Sequence, residues 1–154
     1  MRNQLLVCSS VMFAILFIFQ ITPQAKEQVI DFTRCIAGTC DHLSDAEDFR
    51  TMSCRARGIG WSNNDFKPLE KFAIFNRCIL GIKNDKWTID CFNKYVDSDG
   101  DHIVIHSGKV YGGTGKWKGV TGEIQGKWIR RVTSLPTGNF TNCSHVTGTF
   151  EMPE

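Results

Sequence analysis

Cysteines are the residues whose chemistry is easiest to infer from this sequence, which contains seven of them. Cys8 lies in an N-terminal segment that we expect to be removed, so an even set of six remains in a small domain. Such a set in a short exported chain is typical of a disulfide framework formed in an oxidising compartment. We predict three disulfides among Cys35, Cys40, Cys54, Cys78, Cys91 and Cys143.

Metal binding is the other chemistry of cysteine and histidine, but the spacing does not favour it. The sequence has no Cys-x-x-Cys pair, and none of the usual zinc-ligand spacings relates its histidines, which are His42, His102, His106 and His145. Asp97, Asp99 and Asp101 alternate as calcium ligands do. A calcium loop would, however, carry glycine and glutamate where this chain has His102 and Gly108. We predict a solvated hairpin turn and no metal site.

The stretch from Tyr111 to Gly122, Tyr-Gly-Gly-Thr-Gly-Lys-Trp-Lys-Gly-Val-Thr-Gly, is the most distinctive in the chain. A phosphate-binding loop needs a glycine five residues before Gly115 and a serine or threonine after the lysine. Val110 and Trp117 stand at those two positions. The stretch therefore does not predict phosphate binding, and we expect no cofactor.

Asn76, Asn93 and Tyr95 are the candidate ligand-binding residues. The asparagines are the polar exceptions on an apolar hairpin face, where they either bond each other or a buried water, or orient a ligand in an apolar pocket beside Tyr95. The sequence contains neither a Gly-x-Ser-x-Gly elbow nor a His-Glu-x-x-His helix. If the protein is a catalyst, positioning and weak acid–base help from Tyr95 or a histidine are expected rather than covalent chemistry.

The N-terminal segment has the pattern of a secretory signal. Leu5 to Ile21 is apolar apart from Ser9, Ser10 and Gln20, follows a short basic start and runs into a small residue, Ala25. The alternatives are an uncleaved anchor and a buried N-terminal helix, but the run is short for a membrane span. We predict a signal peptide at 1–25 and a single domain at 26–154 in a secreted or periplasmic protein.

The composition excludes several classes of partner. Removal of 1–25 leaves 17 basic and 16 acidic side chains, so we expect no nucleic-acid binding. No later apolar run is long enough to cross a bilayer as a helix, so we expect no membrane association after cleavage. Fourteen glycines favour many turns over long helices.

Phe72 to Val96 predicts a β-hairpin around a tight turn at Asn84 and Asp85. In this register opposed residues have numbers that sum to 169, so Cys78 faces Cys91 at α-carbon spacing that suits a disulfide. Ten side chains then lie on one face of the hairpin, the apolar inner face, and the opposite face is largely polar. The inner set is Ile74, Asn76, Cys78, Leu80, Ile82, Trp87, Ile89, Cys91, Asn93 and Tyr95.

The turn at Asp97–Gly100 sets the register of the next strand. A three-residue loop pairs Asp97 with Asp101 and turns Ile103 and Ile105 inward, whereas a two-residue loop turns His102, Val104 and His106 inward. Because isoleucines are easier to bury than histidines, the three-residue loop is favoured.

Further strands are predicted near 49–58, 109–111, 123–132 and 146–152, with one or two helical turns at Asp41–Phe49. This pattern predicts an all-β fold, a single antiparallel barrel of about eight strands or a sandwich; closure into a barrel removes exposed edges.

The glycine-rich stretch 111–122 resembles the allene oxide cyclase and dirigent-like β-barrel families, and the resemblance is clearest over 103–132. The stretch contains Gly-Gly-x-Gly, an aromatic residue that follows it, and Gly-Val-x-Gly. The resemblance implies an eight-stranded barrel that holds a small apolar molecule, and in some relatives the cavity guides a cyclisation or coupling without a redox cofactor. The three predicted disulfides depart from the plant cyclase pattern. No cavity residue of these families is carried over to this chain.

Two functions from different classes fit these observations. The first is an exported barrel that binds a small hydrophobic molecule, with or without cofactor-independent cyclase or isomerase activity. The second is a non-catalytic secreted interaction protein whose filled barrel displays loops. Interior space separates them, because a dry barrel packed with Phe72, Ile74, Trp87, Trp128 and Phe150 leaves nowhere to bind, whereas a cavity of about 300 Å³ or more favours a ligand.

Overall fold

A computed structural model describes residues 25–46, 49–84, 86–134 and 138–153 of the chain. The signal segment predicted at 1–25 therefore lies, apart from Ala25, outside the described residues, as does Asp85 of the predicted turn. No helix long and apolar enough to cross a membrane occurs within the described ranges.

Eight antiparallel β-strands form one closed ring, in which each strand pairs with its neighbours in sequence and the last pairs with the first. The predicted all-β antiparallel barrel is thus confirmed. Two single turns of 3-10 helix lie at Lys67–Leu69 and Gly115–Trp117. The strands are β1 (Lys26–Ala46), β2 (Phe49–Ser62), β3 (Lys71–Lys83), β4 (Lys86–Val96), β5 (His102–His106), β6 (Lys109–Gly113), β7 (Thr121–Ser134) and β8 (Asn139–Met152).

Three disulfides link directly opposed residues on adjacent strands. Cys35–Cys143 joins β1 to β8, Cys40–Cys54 joins β1 to β2, and Cys78–Cys91 joins β3 to β4. The last pair is the one that the hairpin register predicts, and its α-carbons lie 4.1 Å apart. A framework of this kind belongs to an oxidising compartment.

Alternation in the β3–β4 hairpin gives the register observed. In every opposed pair from Ile74–Tyr95 to Ile82–Trp87, the two residue numbers add up to 169, as the predicted register requires. The next turn is the three-residue loop, because Asp97 exchanges a backbone hydrogen bond with Asp101 and Gly100 takes a left-handed φ of 88°. Ile103 and Ile105 consequently face inward and are fully buried.

The helical turn predicted at Asp41–Phe49 is wrong. β1 remains extended to Ala46, and its residues pair with β2 down to Ala46 opposite Phe49. The ladder satisfies the backbone groups that a helix would otherwise pair internally, and Cys40–Cys54 fixes the two strands to each other nearby. Residues 41–44 are exposed, and here they belong to a strand rather than to a helix.

Unequal strand lengths divide the barrel into two halves. β5 and β6 have five residues each; β4 pairs with β5 only along Phe92–Val96, and β6 meets β7 at one pair, Lys109 and Glu123. In the described chain, Lys86–Cys91 and Gln125–Ser134 therefore have a strand partner on one side only. We call the end that contains β5 and β6 the closed half, and the end that contains these two unpaired edges the open half.

Large apolar side chains fill the closed half. Phe32 packs edge-on against the rings of Phe72 and Tyr95, with centroids 5.1 and 5.6 Å away. Burial of so many large side chains is the main source of its stability. The core includes Ile30, Phe32, Phe72, Ile74, Tyr95, Ile103, Ile105, Trp117, Val146 and Phe150.

The glycine-rich stretch closes the base of this half. The indole of Trp117 is fully buried and donates its Nε1–H to the Asp97 carboxylate at 2.7 Å. Gly115 has a φ of 52°, and a β-carbon there would lie 2.0 Å from the Asp101 carboxylate. The stretch thus needs glycine so that the Trp117 turn can approach the Asp97 turn.

The aspartates of that turn form hydrogen bonds and an ion pair within the chain. Asp97 accepts from the backbone N–H groups of Asp99 and Asp101, and Lys116 pairs with Asp97 at 3.2 Å. Burial alone would raise the pKa of Asp97, but hydrogen bonds from Trp117 and Lys116 outweigh it and hold that pKa below its usual value. Among the described residues, no group of three His, Cys, Asp or Glu side chains is placed to hold a metal ion.

Candidate ligand-binding site

A layer of polar side chains separates the core of the closed half from the open half. Its members either occupy the next inward position after a core residue, as Arg34 does after Phe32 and Asn76 does after Ile74, or, in the case of Tyr95, belong to the core and reach this layer with a hydroxyl group. We call this set the polar layer. It consists of Arg34, Asn76, Asn93, Tyr95 and Ser144.

The guanidinium of Arg34 holds the polar layer together. Its Nε–H donates to Ser144 Oγ at 2.9 Å, and Nη1 donates to Asn93 Oδ1 at 3.1 Å and to the Tyr95 hydroxyl oxygen. Asn93 Oδ1 also accepts from Asn76 Nδ2 at 2.8 Å. Arg34 thereby links β1, β4 and β8, and Asn76 joins β3 to them through Asn93.

The predicted site residues Asn76, Asn93 and Tyr95 are all buried, and the structure brings them together in the polar layer. The amides bond each other, as one of the two interpretations predicts. Asn93 is in addition tied to Arg34, so the pair is part of a larger network. A ligand-binding role for the three stays a prediction.

Tyr95 supplies the one hydroxyl of the polar layer that also belongs to the apolar core. Burial raises the pKa of this phenol, although the positive charge of Arg34 and its hydrogen bond oppose that shift. The hydroxyl therefore stays protonated at physiological pH, where it can donate a hydrogen bond or a proton but is a poor base.

Arg34 is the central residue that the sequence analysis missed. The sequence did contain an indication of its position. Ile30, Phe32 and Ile36 alternate with other residues along β1, and Arg34 lies on the same face of the strand as these three. Alternation alone therefore places a cation inside the barrel. Within the described chain, no carboxylate lies at ion-pairing distance from it.

The open half exposes apolar side chains that face the inside of the ring. Trp87 and Ile89 have the inward parity of Tyr95, yet 55% and 58% of their surfaces are exposed. Trp128 lies opposite the inward-facing Ser144 and is 53% exposed. The predicted register places these side chains on the inner face, as observed, but they stay exposed because β5 and β6 stop short and no other strand of the described chain covers them.

Two solvent-open cavities of the described chain are lined mainly by outward-facing residues, so they lie on the outer side of the ring. One, of about 290 Å³, is lined by Arg130, Thr141, Asn142 and Cys143. The other, of about 400 Å³, lies across β1, β2 and β3 and includes Ala56, Asn76 and Arg57 in its lining. The carboxamide Oδ1 of the inward-facing Asn142 is buried without a hydrogen-bond partner in the described chain, so the inner side of β8 contains an unsatisfied acceptor.

His106 and His145 face outward, because each follows or separates fully buried residues on its strand. His106 pairs with Asp90 at 2.6 Å, and His145 pairs with Asp31 at 2.8 Å. Hydrogen bonds from Asn63 and His145 hold the pKa of Asp31 below its usual value. Of the acid–base groups that the sequence suggested, Tyr95 is the one that lies in the polar layer.

Compared with known protein families and with curated protein sequences, the chain matches none. The similarity of 103–132 to the allene oxide cyclase and dirigent-like barrels therefore stays a prediction based on the glycine-rich stretch.

Proposed function

We propose that this is an exported protein that binds a small, largely apolar molecule in the open half of its barrel. The observation that carries the proposal is the exposure of Trp87, Ile89 and Trp128 on the inner side of the ring. Exposed apolar surface costs about 25 cal/mol per Å² relative to its burial, and a contiguous patch of it is typical of a binding site. Export is supported by the disulfides and by the predicted signal segment.

The polar layer beneath this surface gives the site its second property. Ligand sites combine an apolar wall with a few fixed polar groups that orient the bound molecule. Here Arg34 supplies donors at the floor of the open half, and it is held there by Asn93 and by the hydroxyl oxygen of Tyr95, which accept from it. Should the protein also be a cofactor-independent cyclase or isomerase, the neutral Tyr95 hydroxyl is the group suited to assist proton transfer.

A fluorescent apolar probe, N-phenyl-1-naphthylamine, tests the proposal. We expect saturable binding to the purified mature protein, weakened about tenfold by Trp87→Ala, because that variant removes part of the apolar wall. Trp61→Ala is the matched control: Trp61 is also partly exposed but lies on the outer side of β2. Absence of binding, or equal loss in both variants, contradicts the proposal. Native mass spectrometry of protein from its source then identifies the natural ligand.

The second candidate function is a non-catalytic interaction protein whose loops contact a partner. The packed closed half favours it, since Ile74, Ile105 and Phe150 are fully buried and leave no room there. The unpaired edges do not favour recruitment of a further strand, because Lys86, Asp90, Lys127 and Arg130 line them with charge. If the probe does not bind the open half, this second function is the better account.

A further inference from the structure

Arg34 carries a charge that the protein itself does not neutralise. An arginine side chain is cationic at any physiological pH, and Arg34 is half-buried, so its charge is partly removed from solvent. The described residues supply Arg34 with three neutral acceptors, from Ser144, Asn93 and Tyr95, and with no carboxylate. A partner of opposite charge is therefore the group that this position lacks.

The hydrogen bonds of the polar layer leave donors in excess. Nη2 of Arg34 has no acceptor among the described residues, because the hydrogen bonds found for this side chain run from Nε and Nη1. The hydroxyls of Ser144 and Tyr95 accept from Arg34, and in the described chain neither donates its own hydrogen. Three donors around one cation form a site for an oxyanion.

A second, independent observation lies on β8. Asn142 is 5% exposed and faces inward two residues before Ser144, yet its Oδ1 has no partner in the described chain. Its carboxamide can present either its oxygen or, after rotation, its N–H group. The polar network is thus unfinished on the side of Arg34 that faces β8.

Access to the guanidinium passes beside Gly126. This residue lies on the unpaired edge of β7, and a β-carbon built there would be 3.9 Å from Arg34 Nη2. Because glycine has no side chain, nothing from this position covers the free donor. The apolar Trp128 follows two residues later along the same edge.

We infer that Arg34 binds an oxyanion, a carboxylate or a sulfonate, carried by the apolar molecule that occupies the open half. This inference rests on the proposed function and specifies its ligand class: an amphipathic anion with its charged group on the polar layer and its apolar part against Trp87, Ile89 and Trp128. A cation is excluded by Arg34, and a purely apolar ligand leaves Nη2 and the two hydroxyl hydrogens without acceptors.

A matched pair of probes tests the inference. The sulfonate 8-anilino-1-naphthalenesulfonate differs from N-phenyl-1-naphthylamine by the anionic group alone. We expect the wild-type protein to bind the sulfonate about 10- to 100-fold more tightly than the amine, as charge-assisted hydrogen bonds predict. Arg34→Met should abolish that preference and leave binding of the neutral amine within about twofold.

Two further variants keep the test sound if Arg34→Met fails to fold. Arg34→Lys keeps the charge but loses the forked geometry, so the preference should fall without vanishing. Gly126→Val leaves Arg34 in place but covers Nη2, so it should weaken binding of the sulfonate and not of the amine. A β-carbon at position 126 has its nearest atoms at ordinary contact distances of 3.7 to 4.0 Å, so the substitution fits the structure. Melting curves report whether each variant is folded.

The outcomes separate the two proposals. Failure of both probes to bind overturns the proposed function. Binding of the amine with no preference for the sulfonate overturns only the inference about Arg34. Arg57→Met is the control for the outer face, where Arg57 lies 5.7 Å over the Phe75 ring. If this control, and not the Arg34 variants, removes the preference, the sulfonate binds outside the barrel and the inference is wrong.

Discussion

The two halves of the barrel share the long strands and the same alternation of side chains, but only the half that also contains β5 and β6 is packed. In the closed half, Trp117 is completely buried under a ring of eight strands. In the open half, Trp87 and Trp128 face inward and remain more than half exposed. The difference comes from two short strands, β5 and β6, and shows that alternation determines which way a side chain points, whereas neighbouring strands determine whether it is covered.

The largest effect is expected from the disulfide that closes the longest loop. Replacement of Cys35 and Cys143 by serine should cost about 4 to 5 kcal/mol of unfolding free energy, because the bridge spans 108 residues. Loss of Cys78–Cys91, which spans 13 residues in the open half, should cost about 3 kcal/mol. Denaturant titration of both double mutants measures the difference. A greater loss at Cys78–Cys91 would show that the open half contributes more to folding than its packing suggests.

The same tryptophan substitution should have unequal effects in the two halves. Trp117→Ala should cost about 3 to 5 kcal/mol, because it leaves a cavity and removes the donor to buried Asp97. Trp87→Ala should cost less than about 1 kcal/mol, because that side chain is mostly solvated already. The midpoints and slopes of urea unfolding measure both. Equal costs would contradict the division into a packed and an unpacked half.

At the boundary between the halves, Asn93→Leu should cost about 1 to 3 kcal/mol, because Arg34 and Asn76 both lose the acceptor that they share. Asn139→Leu, at the exposed start of β8, is the control and should change stability by less than about 0.5 kcal/mol. Thermal melting, measured together with a probe titration, separates a structural role of Asn93 from a role in ligand binding. A lowered midpoint with unchanged affinity for the amine and the sulfonate would mean that Asn93 supports the layer but does not affect the ligand.

The smallest effect concerns pH and the base of the closed half. The pKa of Asp97 is held below its usual value, so its ionised form stabilises the native state at neutral pH. That contribution is present above the unfolded-state pKa of about 3.9 and is lost as pH falls through the lower native value. Stability measured between pH 5 and pH 2 should therefore fall less steeply in Asp97→Asn than in the wild type. An unchanged slope would show that Asp97 contributes nothing to acid sensitivity.

The sequence predicts which face of a strand each side chain lies on better than it predicts which side chains are covered, and the reason is physical. The β3–β4 register follows from alternation and from two cysteines that the same register opposes, and the inward turn of Ile103 and Ile105 follows from one loop length. Where a neighbouring strand ends depends on the whole ring, so the exposure of Trp87 could not be derived from its own strand. Likewise, the contact of Trp117 with Asp97 joins two turns that are separated by 20 residues.

The candidate site was predicted in part for a related reason. Asn76, Asn93 and Tyr95 stand out as polar residues on an apolar hairpin face, and the register brings them together. Arg34 stands on a strand whose partners the sequence does not identify, so its bonds to β4 and β8 were not foreseeable. The sequence does show that Arg34 lies on the same face of its strand as Phe32 and Ile36. That position indicates an internal cation but does not identify its partners.

Amide hydrogen exchange, with and without N-phenyl-1-naphthylamine, tests the central claim that a packed half supports an open binding half. In the free protein we expect fast exchange along Lys86–Cys91 and Gln125–Arg130 and slow exchange at Ile103 and Ile105, because only the latter lie inside the closed core. Probe binding should slow exchange along the two unpaired edges and leave the closed half unchanged. Protection that spreads evenly over both halves, or that leaves both edges unaffected at saturation, would contradict the account.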